Sequence, residues 1–208
     1  MRRGVILLGA GGHGSVVLDC LLEAGLDVIG IIDLVQPAWA GSVPFLGGDS
    51  HLEALAPGEI LLANGLGSVS RPTRRMKMYS KWKQRGFEFA TLVHPRAVVA
   101  SSVELAEGVQ IMAGAVVQPH ARIGSNVIVN TTASIDHHCV IGDHVHLAPG
   151  TVLSGTVSVG SGTHMGTGVR VIQNVRIGAN CVVGAGITVL ADIPDNTVVS
   201  ASDRIVWS

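Results

Sequence analysis

Aromatic side chains make up only 3% of the 208 residues, and the three cysteines, Cys20, Cys139 and Cys181, are widely scattered. So few cysteines exclude a disulfide framework, and with no CxxC spacing they exclude a zinc knuckle or a redox pair. An excess of one charge is missing too. The 14 Lys+Arg stand against 15 Asp+Glu, a net charge of -1, which excludes an overall field directed at nucleic acid or at an anionic membrane surface. The aliphatic run Val5 to Leu8 is far too short for a membrane span or a signal-peptide core, and a glycine turn follows it in place of a cleavage site. A cytoplasmic location is expected. Abundant instead are glycine, at 27 residues, and hydrophobic residues, at 47%. Many glycines beside few aromatics imply a narrow interior with many tight corners.

The corners have a period. From Val99 to Val189 an aliphatic residue recurs at every sixth position without a gap, through Ile111, Ile123, Ile135, Leu147 and Val171, giving sixteen hexads. Two residues before each sits a small or β-branched residue, such as Ala97, Val109, Ala115, Ala133 or Cys139, so both positions can face inward. The residue just after is often glycine, as at Gly124, Gly142, Gly160, Gly166, Gly178 and Gly184, and is read as the turn. A six-residue period matches neither the helix repeat nor strand alternation. It matches a parallel solenoid in which three hexads close one triangular coil, so that sixteen hexads make roughly five coils. The solenoid is expected over residues 92–208.

Residues 1–91 read as a small Rossmann-like α/β domain. "GVILLGAGGHGSVVLDCLLEAG" is a buried strand, a glycine turn and an apolar-periodic helix, and "DVIGIID" is the next strand. Gly9, Gly11 and Gly14 satisfy G-x-G-x-x-G in the strand-to-helix context where bare backbone N–H groups hold phosphate. Asp33, ending the second strand, is placed to accept hydrogen bonds from a ribose or base. The domain has room for one mononucleotide half, which favours a sugar nucleotide over a dinucleotide; a purely structural glycine turn is the alternative. "LLANGLGS" reads as a further strand and turn with Gly65 able to approach a ligand, and the basic run Arg71 to Arg85 reads as a solvated helix face.

Within the solenoid, His137, His138, His144 and His146 crowd into ten residues. A histidine titrating near neutrality can take the proton of an amine or hydroxyl as it attacks a thioester. Four solvated corner histidines are the bland reading, and a zinc site of the kind that hydrates carbon dioxide is a third. With eighteen residues per coil, His146 and His164 stack while His137 sits half a coil away, which does not gather three imidazoles on one ion. No metal is expected.

"GAGGHG", "VHPRAVV", "NTTASIDHHCVIGDHVHLAPG", "LSGTVSVG" and "ADIPDNTVV" together resemble the NeuD/PglD-type family of sugar acyltransferases across nearly the whole chain. The resemblance implies a left-handed β-helix, a homotrimer and acetyl-CoA as cosubstrate. It implies transfer to the amino group of a nucleotide-linked 4-amino-4,6-dideoxy sugar, with O-acetylation of a sialic or related nonulosonic acid as the alternative. A non-catalytic sugar-nucleotide-binding solenoid is the reading from another class. His137 falls at the family's general base, with His138 beside it in the catalytic pair; Asn130 falls beside the sugar's reacting group. Gly11, Gly12, His13, Asp33 and Gly65 fall on the sugar-nucleotide side. His146 falls near the thioester, and Gly155, Thr167 and Ala185 along the pantetheine groove, with the backbone N–H near Gly155 as candidate oxyanion donor. Two positions depart from the pattern. His138 stands where the family commonly has Asp or Glu, so that either Asp136 or Asp143 substitutes, or the base is weaker, or the substrate amine arrives already partly deprotonated; and the tail "VVSASDRIVWS" lacks the usual G-x-P-A ending.

Overall fold

The computed structural model describes residues 3–200. A five-stranded parallel sheet opens the chain, built from β1 (Gly4–Leu8), β2 (Val28–Ile32), β3 (Phe45–Gly47), β4 (Ile60–Asn64) and β5 (Glu88–Phe89) in the order β3-β2-β1-β4-β5. Val5–Leu8 are all buried because helices cover both sides of the sheet. Alternate residues serve two cores: Val5 and Leu7 meet Val17, Leu18 and Leu21 of α1 (Gly12–Glu23), while Ile6 and Leu8 meet Tyr79 and Trp82 of α3 (Thr73–Gln84). The one-turn α2 (Ser50–Glu53) inserts Leu52 into the second core.

From Leu92–Val93 onward the chain forms two-residue parallel strands in three sheets of seven, six and five strands. The first face carries Gln110–Ile111, Ile128–Val129, His146–Leu147 and His164–Met165; the second carries Ser134–Ile135 and Val152–Leu153; the third carries Arg122–Ile123 and Val140–Ile141. Partners lie eighteen residues apart, as in Ile128 with His146 and His146 with His164. Both inward columns of the hexad are buried in one continuous core, including Ala115, Ala133 and Cys139 from the smaller column. A triangular coil this narrow has room for aliphatic side chains and none for rings, which accounts for the missing aromatics.

The turn residue is not the glycine that follows the aliphatic position. A left-handed residue, φ between 54° and 73°, recurs at every sixth position from Gly108 to Gly186, and eight of these fourteen corners are Asn, His or Thr. Asn and His adopt this conformation at small cost, so the corner is only partly written in glycine. The glycines at 124, 142, 160 and 178 answer a different demand, the approach of the next coil. A Cβ on Gly160 would lie 2.4 Å from the Ala179 nitrogen and 2.6 Å from the Gly178 carbonyl carbon.

The last coil is tighter. Val198 pairs with Val182, and Ile193 with Ile177, sixteen residues apart instead of eighteen, which is why the hexad series stops at Val189. Among the described residues no helix is long and apolar enough to cross a membrane. The atypical ending noted in the sequence extends into residues 201–208, outside those described.

Gly160→Ala is expected to destabilise the fold by about 1–3 kcal/mol, because two backbones rather than a flexible side chain would have to separate. Thermal unfolding checks this, and an unchanged midpoint would show that the coils are not in backbone contact there.

Candidate active site

The site grows from the glycine turn after β1. Gly9 takes φ +98°, and its carbonyl oxygen is approached so closely from two sides that a Cβ on either Gly14 or Gly65 would sit 2.3 Å from it. Gly65 therefore locks the loop after β4 onto the turn after β1. Gly11 and Gly12 have open space around them at the start of α1, where unpaired N–H groups favour an anion. The Asp33 carboxylate supports the turn from behind, accepting the Ala10 N–H at one oxygen and the Leu34 N–H at the other.

The loop after β4 then runs across the first face of the solenoid. Ser68 Oγ lies 2.8 Å from His146 Nδ1 and 3.3 Å from His164 Nδ1. Arg71 donates to the Asn180 and Asn196 carbonyls at 2.7 and 3.0 Å. Between this loop, the glycine turn and the solenoid lies a cavity of about 820 Å³. Gly11, Gly12, His13 and Gly65 line it from the α/β domain, and Asn130, Thr131, His146 and Pro149 from the solenoid. Ser68, Arg71, Thr73 and Arg74 also line it, and none of these was given a site role from the sequence. The basic run is thus only partly a solvated face.

Arg75 departs furthest from that expectation. It is 1% exposed, and its guanidinium donates to the carbonyls of Asn64, Leu66 and Asn126 without meeting a carboxylate. Asn64 ties the same cluster together, donating to Asn126 Oδ1 while its carbonyl accepts from Gln110 Nε2. Gln110 in turn presents Oε1 to His13 Nε2 at 2.9 Å. A buried polar network therefore joins β4, α1 and α3 to the first face of the solenoid and fixes the cavity floor.

These contacts settle two protonation patterns. Gln110 gives its amide N–H to Asn64, so its oxygen faces His13, which must donate from Nε2. Asn130 accepts the Thr131 N–H at Oδ1, so its amide nitrogen faces His146 Nε2 at 3.1 Å. His146 then carries its proton on Nδ1 and gives it to Ser68, whose hydroxyl hydrogen turns to His164. Both rings are held neutral. Burial, with the Arg75 charge behind it, pushes His13 down to about 4. Burial, with His164, His13 and Arg75 adding repulsion, pushes His146 down to about 2. A ring so reluctant to take a proton is a hydrogen-bonding group and not a base.

The four clustered histidines are dispersed by the coil. His144 packs edge-on to Tyr79 and accepts or donates to Asn126 at the domain junction. His137 and His138 lie exposed on the corner between the second and third faces, away from the cavity corner of the same coil. There His137 lies over Gly155 of the next coil: a Cβ on Gly155 would be 2.6 Å from His137 Nε2. Among the described residues the Gly155 N–H has no partner in the protein, whereas its carbonyl accepts from Asn174. Neither aspartate substitutes for the family's acid. Asp136 accepts the His137 backbone N–H, Asp143 accepts the Ser125 N–H, and the His137 imidazole meets His138 instead, Nδ1 to Nδ1 at 3.1 Å. Thr167 and Ala185 are exposed on the cavity corner, in the column continued from Thr131 and Pro149. Among the described residues no three of His, Cys, Asp and Glu converge as a metal site would require.

Residues 4–81 match the model of the PglD N-terminal domain, and residues 120–155 match that of the bacterial transferase hexapeptide. The acetyltransferase domain of PglB from Neisseria gonorrhoeae FA1090, solved with acetyl coenzyme A, is 31% identical over 95% of this chain and 96% of its own, with a TM-score of 0.89. PerB from Caulobacter crescentus, solved with CoA and GDP-perosamine, is 38% identical over 100% of this chain and 99% of its own, with a TM-score of 0.86. The chain belongs to the NeuD/PglD-type family of sugar acetyltransferases. WeeI from Acinetobacter baumannii AYE, 22% identical over 99% of this chain and 100% of its own with a TM-score of 0.84, shares the fold of this family. Among curated proteins no sequence matches the chain. Within the NeuD/PglD-type frame, the glycine turn, His13 and Asn130 meet in one cavity, while His137 and Gly155 form a second cluster.

The depressed histidines make stability depend on pH. An unfolded histidine titrates near 6.5 and these two far lower, so below about pH 6.5 the unfolded chain binds protons that the folded one refuses. Their contribution is complete above that pH and is lost as pH falls, down to about 4 for His13 and about 2 for His146. The unfolding midpoint is expected to drop between about pH 7 and about pH 5, and His146→Asn to flatten that slope by about one proton. Equal slopes in the two proteins would contradict a neutral His146.

Proposed function

We propose that the protein transfers the acetyl group of acetyl-CoA to the amino group of a nucleotide-linked 4-amino-4,6-dideoxy sugar, in the cytoplasm. The observation that carries the reading is the placement of His137 Nε2 against Gly155, whose N–H has no protein partner. A base and an oxyanion donor side by side are what aminolysis of a thioester requires. The amine nitrogen attacks the thioester carbonyl as His137 Nε2 takes its proton. The carbonyl oxygen gains the negative charge facing the Gly155 N–H. Collapse of the tetrahedral centre breaks the C–S bond, and His137 returns the proton to the departing thiolate. No covalent enzyme intermediate is needed, because the thioester is already activated.

The sugar nucleotide is assigned to the large cavity. Gly11 and Gly12 present backbone N–H groups to the diphosphate, and Arg71 and Arg74 add positive charge. His13 and Asn130 hold the sugar end, and Asp33 and Gly65 keep the turn in shape. The pantetheine arm is assigned to the groove along Thr167 and Ala185, with His146 at its thioester end.

The cavity and His137 lie on different corners of one coil, so a single chain does not bring them together. A homotrimer would, by setting the His137 corner of one subunit against the cavity corner of its neighbour.

Release of free thiol from acetyl-CoA, measured with UDP-, GDP- and dTDP-linked 4-amino sugars and with free sialic acid, tests the reading. Turnover with an amino sugar, reduced at least about a hundredfold in His137→Ala, is expected. Turnover with sialic acid alone would overturn the acceptor, and undiminished turnover in the variant would overturn the base.

A further inference from the structure

His138 stands where this family commonly has a carboxylate, and its ring makes the one side-chain contact that the His137 imidazole has among the described residues, Nδ1 to Nδ1 at 3.1 Å. At most one hydrogen occupies the line between those two nitrogens. If it belongs to His137, then His137 Nε2 is bare and serves as a base. If it belongs to His138, a neutral His137 must carry its own hydrogen on Nε2, and the base is lost. The contact is therefore a selector of tautomers.

Resting on the assignment of His137 as base, we infer that His138 is a positioning residue which holds the His137 hydrogen on Nδ1, and that the pair is competent only while both rings are neutral. In the competent state His137 donates from Nδ1 to the Nδ1 lone pair of His138, whose own hydrogen sits on Nε2. When His137 accepts the amine proton, the same hydrogen bond persists and strengthens, because its donor is now charged. When His138 is protonated first from solvent, it becomes a donor at Nδ1, the bond reverses, and His137 is left with Nε2–H facing the site. A carboxylate in the same place is never a donor near neutral pH. It would hold the imidazole in the right tautomer throughout, and would raise its affinity for a proton. The pair of histidines thus gives the site an acid sensitivity with a different origin.

The surroundings do not supply an alternative partner. Asp136 is taken up by the backbone N–H of His137 itself, and the next coil offers Gly155 and Thr156, which carry no charge. His120, one coil back, lies beside His138 with ring centroids 5.0 Å apart, and Glu104 and Arg122 of the third face line the same small cavity. These charged and titratable groups face His138 and not the His137 Nε2. His138 also occupies a left-handed corner, φ 58°, so the informative replacements are residues that accept this conformation: Gly, Asn and Asp.

The test combines ring nitrogen shifts with rate profiles. In the full-length protein at about pH 8, the ¹⁵N shifts of the His137 ring are expected to report hydrogen on Nδ1, and to revert in His138→Gly toward the Nε2–H form that free histidine favours. This readout needs no substrate, so it stands even if the acceptor assigned above is wrong. In the acetyl-transfer assay His138→Gly is expected to lose about tenfold or more in kcat with both KM values held, and His138→Asn, a neutral acceptor, to recover part of it. His138→Asp is expected to move the acid limb of kcat/KM up by about one pH unit, since a carboxylate raises the proton affinity of its partner ring. An Nε2–H tautomer in the wild type, or an acid limb unmoved by aspartate with full activity in His138→Gly, would overturn the proposal. Activity surviving in His137→Ala would instead overturn the base on which it rests.

Discussion

Flush stacking of one coil on the next is the constraint from which the rest follows. Each coil must close in eighteen residues and present its backbone to its neighbour without interposed side chains. This places a left-handed residue at each corner from Gly108 to Gly186, and glycine at positions such as 124, 142, 160 and 178 where a Cβ would meet the next coil's backbone. It also fixes which positions are stacked in columns. Because Gly155 lies one coil beyond His137, its missing Cβ makes the space into which the imidazole fits. Because His164 lies one coil beyond His146, a single serine hydroxyl reaches both. These juxtapositions are a by-product of register.

The second constraint acts between the domains. Arg75 is a buried cation with no carboxylate beside it among the described residues; burial draws its pKa down to about 9, and its Nη2 has no hydrogen-bond partner among them. Burying such a charge is costly unless carbonyls surround it, and three of them do. The same cation raises the cost of protonating His13 and His146, and so keeps the cavity floor neutral and hydrogen-bonded instead of repelling further positive charge. A diphosphate in the proposed site would gain from this arrangement, which keeps a positive potential below the cavity while the groups proposed to meet the sugar act as plain donors and acceptors.

Much of the solenoid was legible because a period of six has few physical explanations, and because the inward columns at Val109, Ala115 and Ile111 obey it strictly. The α/β domain was legible from a strand, a glycine turn and an amphipathic helix in sequence. Less legible was the reason for each glycine. The sequence suggested that Gly142 and Gly160 turn the chain, whereas the turn falls two residues later and is often Asn or His; one-dimensional spacing does not separate a conformational need from a packing need. Arg75 was hidden in the same way, since a basic run carries no sign that one of its members faces inward, although its place four residues before Tyr79 and seven before Trp82, both buried, marks the inner helix face. The pairing of His137 with His138 was named from the sequence, but the Nδ1-to-Nδ1 contact was out of reach, because adjacency in sequence does not fix the direction of two rings. Nor did sequence show that the histidine cluster would be divided between two corners and the first face.

That division makes the sharing of one site between two chains the central claim. Its most direct measurement is activity after mixing two inactive variants, His137→Ala and Gly12→Glu. The second places a carboxylate in the large cavity at a position where a Cβ meets nothing. Unfolding and reassembling equal amounts together should restore about a quarter of the wild-type rate, the fraction of interfaces at which an intact cavity meets an intact His137. A mixture as inactive as its components, with mixed oligomers demonstrated, would mean that cavity and base work within one chain and would contradict the shared site.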